Sequence, residues 1–313
     1  MTDYTVTQDE SEFDWFKNNG IFMPMINDTA RNVFYRDAIQ ASVSGKVVCD
    51  IGTGTGLLSI LAAKAGASKV YAVEMDPGRA AFATKVIKQI GLDNVITVVN
   101  DNFLNTDITA DVYISETIGT QIFNENIINL SNHVLNKGGT FIPGTFEITA
   151  RVYEGHAIFP VVQNRSDAFE FQPDIEIDTN YETLINNTFQ SQHDLTNTLY
   201  RANHINDFFT QLPKMPDLQL NVLYETAPLV VDLNQPIDVN NIKLTIPESV
   251  MVEADRDICV VLFWKAKHNN IVMQSDHTWW GHVSKVILPR TKKAGQDIIT
   301  WYDPAIGDWR FSF

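Results

Sequence analysis

Apolar and polar positions follow two regimes along the chain. Up to about residue 142, short apolar runs of strand length alternate with stretches whose apolar positions recur at helical spacing. Residues 47–49, 70–73, 95–99, 111–114 and 140–142 read as strands. Residues 28–41, 57–65, 78–90 and 124–135 read as helices, the first with Asp28 as its N-cap. This alternation predicts an α/β fold with a doubly wound parallel sheet. Such sheets bind ligands beyond the carboxyl ends of their strands, where Asp50, Glu74, Asn102 and Glu116 fall.

After Ile142-Pro143-Gly144 helical periodicity fades and short β-rich runs continue to the C-terminus. An antiparallel barrel or sandwich is expected there. Residues 180–212 interrupt it, rich in Asn, Gln and Thr yet carrying Tyr181, Leu184, Phe189, Phe208 and Phe209. They read as an inserted helical arm whose apolar side chains need cover, from a second subunit or from their own barrel. The expected layout is an N-terminal segment over residues 1–40, a nucleoside-binding domain over 41–144 and a β domain over 145–313.

Composition narrows the classes. Of 313 residues, 44% are hydrophobic and 19% charged, as in ordinary globular proteins. A formal net charge of −15 argues against a broad basic surface for nucleic acid, and is compatible with attracting a cationic substrate. Cys49 and Cys259 lie in apolar strand-like runs and read as buried thiols. No Cys/His cluster has zinc spacing, so no metal is expected. With no signal peptide and no apolar run of membrane length, a cytoplasmic protein without a membrane partner is expected.

The first candidate chemistry lies in Val47-Val48-Cys49-Asp50-Ile51-Gly52-Thr53-Gly54-Thr55-Gly56. It reads as a buried strand entering a glycine-rich turn that opens a helix. The glycines let backbone approach a ligand closely, and the helix N-terminus presents free N–H groups. The spacing is G-x-G-x-G, with Leu57 where the dinucleotide fingerprint has its third glycine. Glu74 ends the next strand, where an acid can accept both ribose hydroxyls. These features favour S-adenosylmethionine (SAM), which lacks a pyrophosphate, with NAD as the alternative. Gly52, Thr53 and Gly54 then meet the methionine half, Glu74 the ribose, and backbone near Asn102 the adenine.

The second lies in Ser115-Glu116-Thr117-Ile118-Gly119-Thr120-Gln121-Ile122-Phe123-Asn124-Glu125. Glu116 ends a strand, and Glu125 follows nine residues later, in the first turn of the next helix. If the loop between them folds back, both carboxylates face one pocket. Two carboxylates beside a sulfonium suit a guanidinium, which is planar, always charged and forked. They would orient one nitrogen toward the methyl, hold charge on the others, and take the released proton. Taken singly, Glu116 could satisfy a loop and Glu125 a helix N-terminus.

These residues resemble the protein arginine methyltransferase family. The similarity runs from about Phe13 to the C-terminus, carried by residues 48–56, by residues 62–70, and most specifically by the two glutamates at this spacing. Phe141-Ile142-Pro143 is similar to the family's junction between methyltransferase domain and β-barrel. The resemblance implies a SAM-dependent N-methyltransferase with Glu116 and Glu125 as catalytic residues. It implies that Phe13, Asp14 and Phe16 belong to a helix closing over the cofactor, and that Arg31 pairs with the cofactor carboxylate. It further implies a homodimer built through the arm. Departures occur where the family has a Thr-His-Trp loop: here Asp276-His277-Thr278-Trp279-Trp280-Gly281 places Trp280 at the tryptophan position, toward the substrate. Thr117, Ile118 and Thr120 replace the usual aromatic and methionine residues. The expected acceptor is a guanidino group, in a peptide or a free metabolite. Another amine acceptor, or a SAM-binding scaffold without activity, is the alternative.

Overall fold

In the computed structural model the described residues are 26, 28–119, 122–154, 222–253, 258–275, 285–288 and 297–312. They divide into two compact units. The first takes the chain up to Glu116 together with His133–Ile142. The second takes Thr117–Asn132 and the described chain from Pro143 onward.

The first unit is built on five parallel strands. They are β1 (Val47–Ile51), β2 (Lys69–Glu74), β3 (Ile96–Asn100), β4 (Val112–Ser115) and β5 (Thr140–Ile142). Their order, β3-β2-β1-β4-β5, places β1 at the centre and reverses direction of travel between β1 and β4. Such a reversal opens a crevice at the strands' carboxyl ends. Val48, Cys49 and Asp50 in β1 and all of β4 are buried, as expected of parallel strands covered on both faces.

The helices start where local chemistry allows. In α1 (Thr29–Gln40), the Asp28 side chain accepts from the Arg31 N–H at 3.1 Å. In α3 (Pro77–Gln89), Asp76 caps the Arg79 N–H at 2.9 Å, and proline takes the first helical position, where its missing N–H costs nothing. Between them, α2 (Leu57–Lys64) follows Gly56, whose φ of 85° lies in the left-handed region. That turn is what swings the chain from β1 into α2, and glycine takes it without strain.

The chain next forms α4 (Ile127–Lys137), three residues later than the apolar spacing predicts. Ile122 and Asn126 take left-handed φ values of 68° and 74°, so helical geometry cannot begin before 127. Glu125 therefore precedes the helix rather than lying in its first turn.

The second unit is antiparallel. One sheet pairs β6 (Thr145–Glu154) with β10 (Ile258–His268) over ten residues. Around that pair lie β7 (Val222–Glu225), β8 (Leu229–Asp232), β11 (Ile271–Gln274) and β12 (Lys285–Leu288). The other sheet runs β14-β13-β9, from β9 (Lys243–Ile246), β13 (Ile298–Asp303) and β14 (Asp308–Ser312). A short helix, α5 (Glu248–Glu253), follows β9. Burial alternates along β13, with Ile298, Thr300 and Tyr302 buried and Ile299 and Trp301 exposed. Phe123 completes this unit's core: its ring meets Phe146 and Tyr302 edge-on, with centroids 5.6 and 5.4 Å away, and lies 6.4 Å from Trp309.

No helix among the described residues is long and apolar enough to cross a membrane. The arm expected over 180–212 and the loop 276–281 lie outside the described residues, as does the expected covering segment around Phe13, Asp14 and Phe16.

Candidate functional site

Four of the expected residues stand at the carboxyl edge of the parallel sheet. Asp50, near the end of β1, is 0% exposed. Its Oδ2 accepts hydrogen bonds from Thr53 Oγ1 and Ser59 Oγ, each at 2.7 Å. Its Oδ1 is buried without a hydrogen-bond partner. Burial raises the carboxyl from 3.8 to about 6, the two hydroxyls oppose that rise, and the charge of Glu74 adds to it. Cys49, next in β1, is buried and has its thiol pKa pushed well up by burial and by Asp50.

Glu74 ends β2 at 2% exposure. The Gly54 N–H donates to its Oε2 and the Asp76 N–H to its Oε1, both at 3.0 Å. Asn100 Nδ2 donates to the Glu74 carbonyl at 2.9 Å, tying the ends of β2 and β3 together. Each carboxylate oxygen holds one backbone donor, and a carboxylate oxygen can accept more than one. Asn102, just beyond β3, accepts the Leu104 N–H at 3.0 Å and caps the short 3₁₀ turn Phe103–Asn105.

Glu116 follows β4. Arg31 Nη2, from α1, lies 3.1 Å from its Oε2, with side-chain exposures of 6% for the arginine and 13% for the glutamate. Burial alone would lower the Arg31 pKa, but Glu116 outweighs it and the net direction is upward. Arg31 Nη1 also donates to Asn32 at 3.0 Å. The guanidinium that the resemblance assigns to the cofactor carboxylate is thus engaged by Glu116. Close by, Tyr35 donates its hydroxyl to the Ser115 carbonyl at 2.9 Å. Burial, then Glu116, raises the Tyr35 pKa well above its ordinary value, so it remains a donor.

Glu125 belongs to the second unit, whereas Glu116 belongs to the first. The turn before Glu125 is tight: the Ile122 N–H donates to the Gly119 carbonyl at 2.9 Å. A Cβ on Gly119 would lie 1.9 Å from Asn124 Oδ1 and 2.9 Å from Glu125 Cγ. Only glycine leaves room for that approach. Thr120 and Gln121, between these residues, lie outside the described residues, as do Phe16 and Trp280. A cavity of about 490 Å³ on the β9–β13–β14 sheet is lined by residues that include Lys243, Ile299 and Trp301, and by none of the expected site residues.

Sequence reasoning passed over Ser59, Asn100 and Tyr35. Ser59 interrupts the apolar run Leu57-Leu58-Ser59-Ile60-Leu61, a signal that was available. Asn100 ends a strand beside an acid, a weaker one. Nothing local distinguishes Tyr35.

A family profile described as "Ribosomal protein L11 methyltransferase (PrmA)" matches residues 36–146. Sequence relatives include "Probable protein arginine N-methyltransferase 1.2" of Arabidopsis thaliana. It is 31% identical over 180 residues, covering 54% of this chain and 47% of that protein. "Protein arginine N-methyltransferase 8-B" of Danio rerio is 33% identical over 148 residues, covering 44% and 35%. Over its N-terminal half the chain is similar to protein arginine N-methyltransferases. It spans a third to about half the length of the curated relatives it matches. Among solved structures, one of PRMT6 with SAH superposes with a TM-score of 0.59 at 17% identity, covering 94% of this chain and 98% of that one. The Trypanosoma brucei PRMT1 enzyme–prozyme heterotetrameric complex with AdoHcy gives 0.56 at 19% identity, covering 90% and 86%. At these identities the arginine methyltransferase structures establish the fold: a parallel methyltransferase sheet followed by antiparallel sheets.

Proposed function

We propose that this chain is a SAM-dependent N-methyltransferase that methylates a guanidino nitrogen of arginine, in a peptide, a protein or a free arginine-like metabolite. The reading is carried by Glu116, a carboxylate held by a buried arginine where β4 opens onto the crevice. Arg31 holds Glu116 in place through Oε2, which leaves Oε1 for a second cation.

The residues suit the cofactor. Glu74 keeps acceptor capacity on both oxygens for the ribose hydroxyls, and the unpartnered Asp50 Oδ1 marks the floor of the crevice as lacking a donor. Gly52, Thr53 and Gly54 meet the methionine half, while Arg31, already on Glu116, lies next to the expected carboxylate position. When bound, SAM supplies an electrophilic methyl group on a sulfonium. Glu116 and Glu125 grip the acceptor guanidinium and aim one nitrogen at that methyl. Their negative charge keeps the cationic character on the other nitrogens, and one of them accepts the proton that leaves the attacking nitrogen.

Similarity to proteins named arginine N-methyltransferases supports arginine as the acceptor class, and the net charge of −15 supports a cationic peptide. Phe16 in the covering segment and Trp280 beside the acceptor complete the proposed site. Two further expectations belong to the same reading: a homodimer formed through residues 180–212, and a cytoplasmic location. Light scattering at micromolar concentration tests the first, and a clean monomer counts against it.

The test of activity is mass spectrometry after incubation with SAM and a panel of arginine peptides, free arginine and other amines. A gain of about 14 Da on a guanidino acceptor is expected. Methylation confined to non-guanidino amines, or no product at all, overturns the reading. Glu125→Gln should keep S-adenosylhomocysteine binding by calorimetry while losing transfer. Unchanged turnover removes Glu125 from the mechanism.

A further inference from the structure

We propose that the cavity on the outer face of the β9–β13–β14 sheet is a binding site for a small aromatic carboxylate. This goes beyond the methyl-transfer reading and does not depend on it, since none of the residues assigned to that reaction lines the cavity.

Sheet geometry makes the site. Ile298, Thr300 and Tyr302 of β13 turn into the core, so Ile299 and Trp301 stand two residues apart on the opposite face. They are 40% and 36% exposed, although β13 is the central strand of its sheet. Register then fixes their neighbours. Trp301 lies opposite Lys243 of β9 on one side and Arg310 of β14 on the other, and Ile299 lies opposite Ser312. Asn240 and Pro304 add to the lining. The volume of about 490 Å³ falls among pockets that hold small ligands, and it joins apolar walls to a few polar groups as such pockets do.

Charge decides the kind of ligand. Asp303 is the acid in the lining, and both its oxygens are engaged. Oδ1 accepts the Ala305 N–H at 3.0 Å, and Oδ2 accepts Arg310 Nε at 3.1 Å. That ion pair is neutral as a unit. Lys243 is different: among the described residues no carboxylate lies within ion-pair distance of its ammonium. The cavity therefore holds one uncompensated positive charge beside an open indole face.

A ligand with one flat ring and one negative charge satisfies both. Its ring stacks on Trp301, and its carboxylate accepts a charge-assisted hydrogen bond from Lys243 Nζ. A phosphate dianion would bring a second charge with no partner, and a cationic ring would be repelled by Lys243. The net charge of −15 disfavours anions over the surface at large, so an anion that binds here does so through this local cation.

The test is a ligand-observed NMR titration of the full chain with naphthoate. A saturable isotherm with a Kd of about 1 mM or below is the expected result. Naphthamide, which keeps the ring without the charge, and naphthylmethylamine, which reverses it, should bind about tenfold more weakly. Trp301→Ala and Lys243→Gln should each weaken naphthoate by about tenfold. Lys265→Gln removes an exposed charge on β10 and should leave the isotherm unchanged, as should added S-adenosylhomocysteine. No saturation up to about 10 mM overturns the proposal. So does equal binding of naphthamide, binding that survives Trp301→Ala, or displacement by S-adenosylhomocysteine. If a variant does not fold, the three-ligand comparison on the unsubstituted chain still decides.

Discussion

Asp50 carries an energetic cost that pH should reveal. Its folded carboxyl holds a proton more tightly than the unfolded chain does, so stability falls as pH rises from 3.8 toward about 6 and stays lower above that. At 1.36 kcal/mol per pKa unit the loss reaches about 3 kcal/mol. Asp50→Asn carries no such charge. Its stability relative to the native chain should improve by up to about 3 kcal/mol between pH 4 and pH 7, read from urea midpoints, and level off beyond. Arg31 presents the opposite case. Arg31→Met removes the ion-pair partner of the mostly buried Glu116 and should destabilise the protein by about 3 kcal/mol in the same titration. The chemical types of both residues were legible in the sequence, and Asp50, Glu74 and Glu116 could be placed at strand ends from strand spacing alone. The Arg31–Glu116 pair was not, because the two residues lie on elements far apart in the chain, and only the packing of α1 against the sheet joins them. Local patterns carry the positions of acids but not the identity of their counter-ions.

At the level of elements, the strand–helix alternation was readable because parallel strands buried on both faces give continuous apolar runs, and because Asp28 caps its helix through a local hydrogen bond. The start of α4 was misread for a physical reason. The residues 124–126 suit a helix, but Phe123 is drawn into the ring cluster of the antiparallel unit and two non-glycine residues accept left-handed backbone to let it in. Tertiary packing overrode local preference there, and it sets the turn that bears Glu125. Gly119→Ala tests that turn. The added methyl collides with Asn124 and Glu125, so the carboxylate must move by a sizeable fraction of an ångström. Misplacement on that scale can cost about a hundredfold in turnover. The expected outcome is that loss in kcat with S-adenosylhomocysteine affinity unchanged, since the residues proposed to bind the nucleoside lie on other elements.

Over the whole molecule the governing quantity is charge. A net −15 surrounds a site proposed for a cationic acceptor. Long-range attraction of that kind raises encounter rates and fades with ionic strength, as the screening length shrinks from about 10 Å at 0.1 M to about 3 Å at 1 M. kcat/KM for an arginine-rich peptide should therefore drop several-fold between 50 and 500 mM salt, while kcat changes little. A rate insensitive to salt would mean that only short-range contacts matter.

The placement of Phe123 has a practical consequence for anyone hoping to miniaturise this protein. Cutting the chain after β5 would keep all five parallel strands and strip Phe123 of Phe146, Tyr302 and Trp309 in one stroke. The fragment would carry a naked aromatic ring on an unsupported turn, prone to self-association. It would keep the residues proposed for the cofactor but lose the ring cluster that seats the turn bearing Glu125, so any shortened version has to retain β6, β13 and β14.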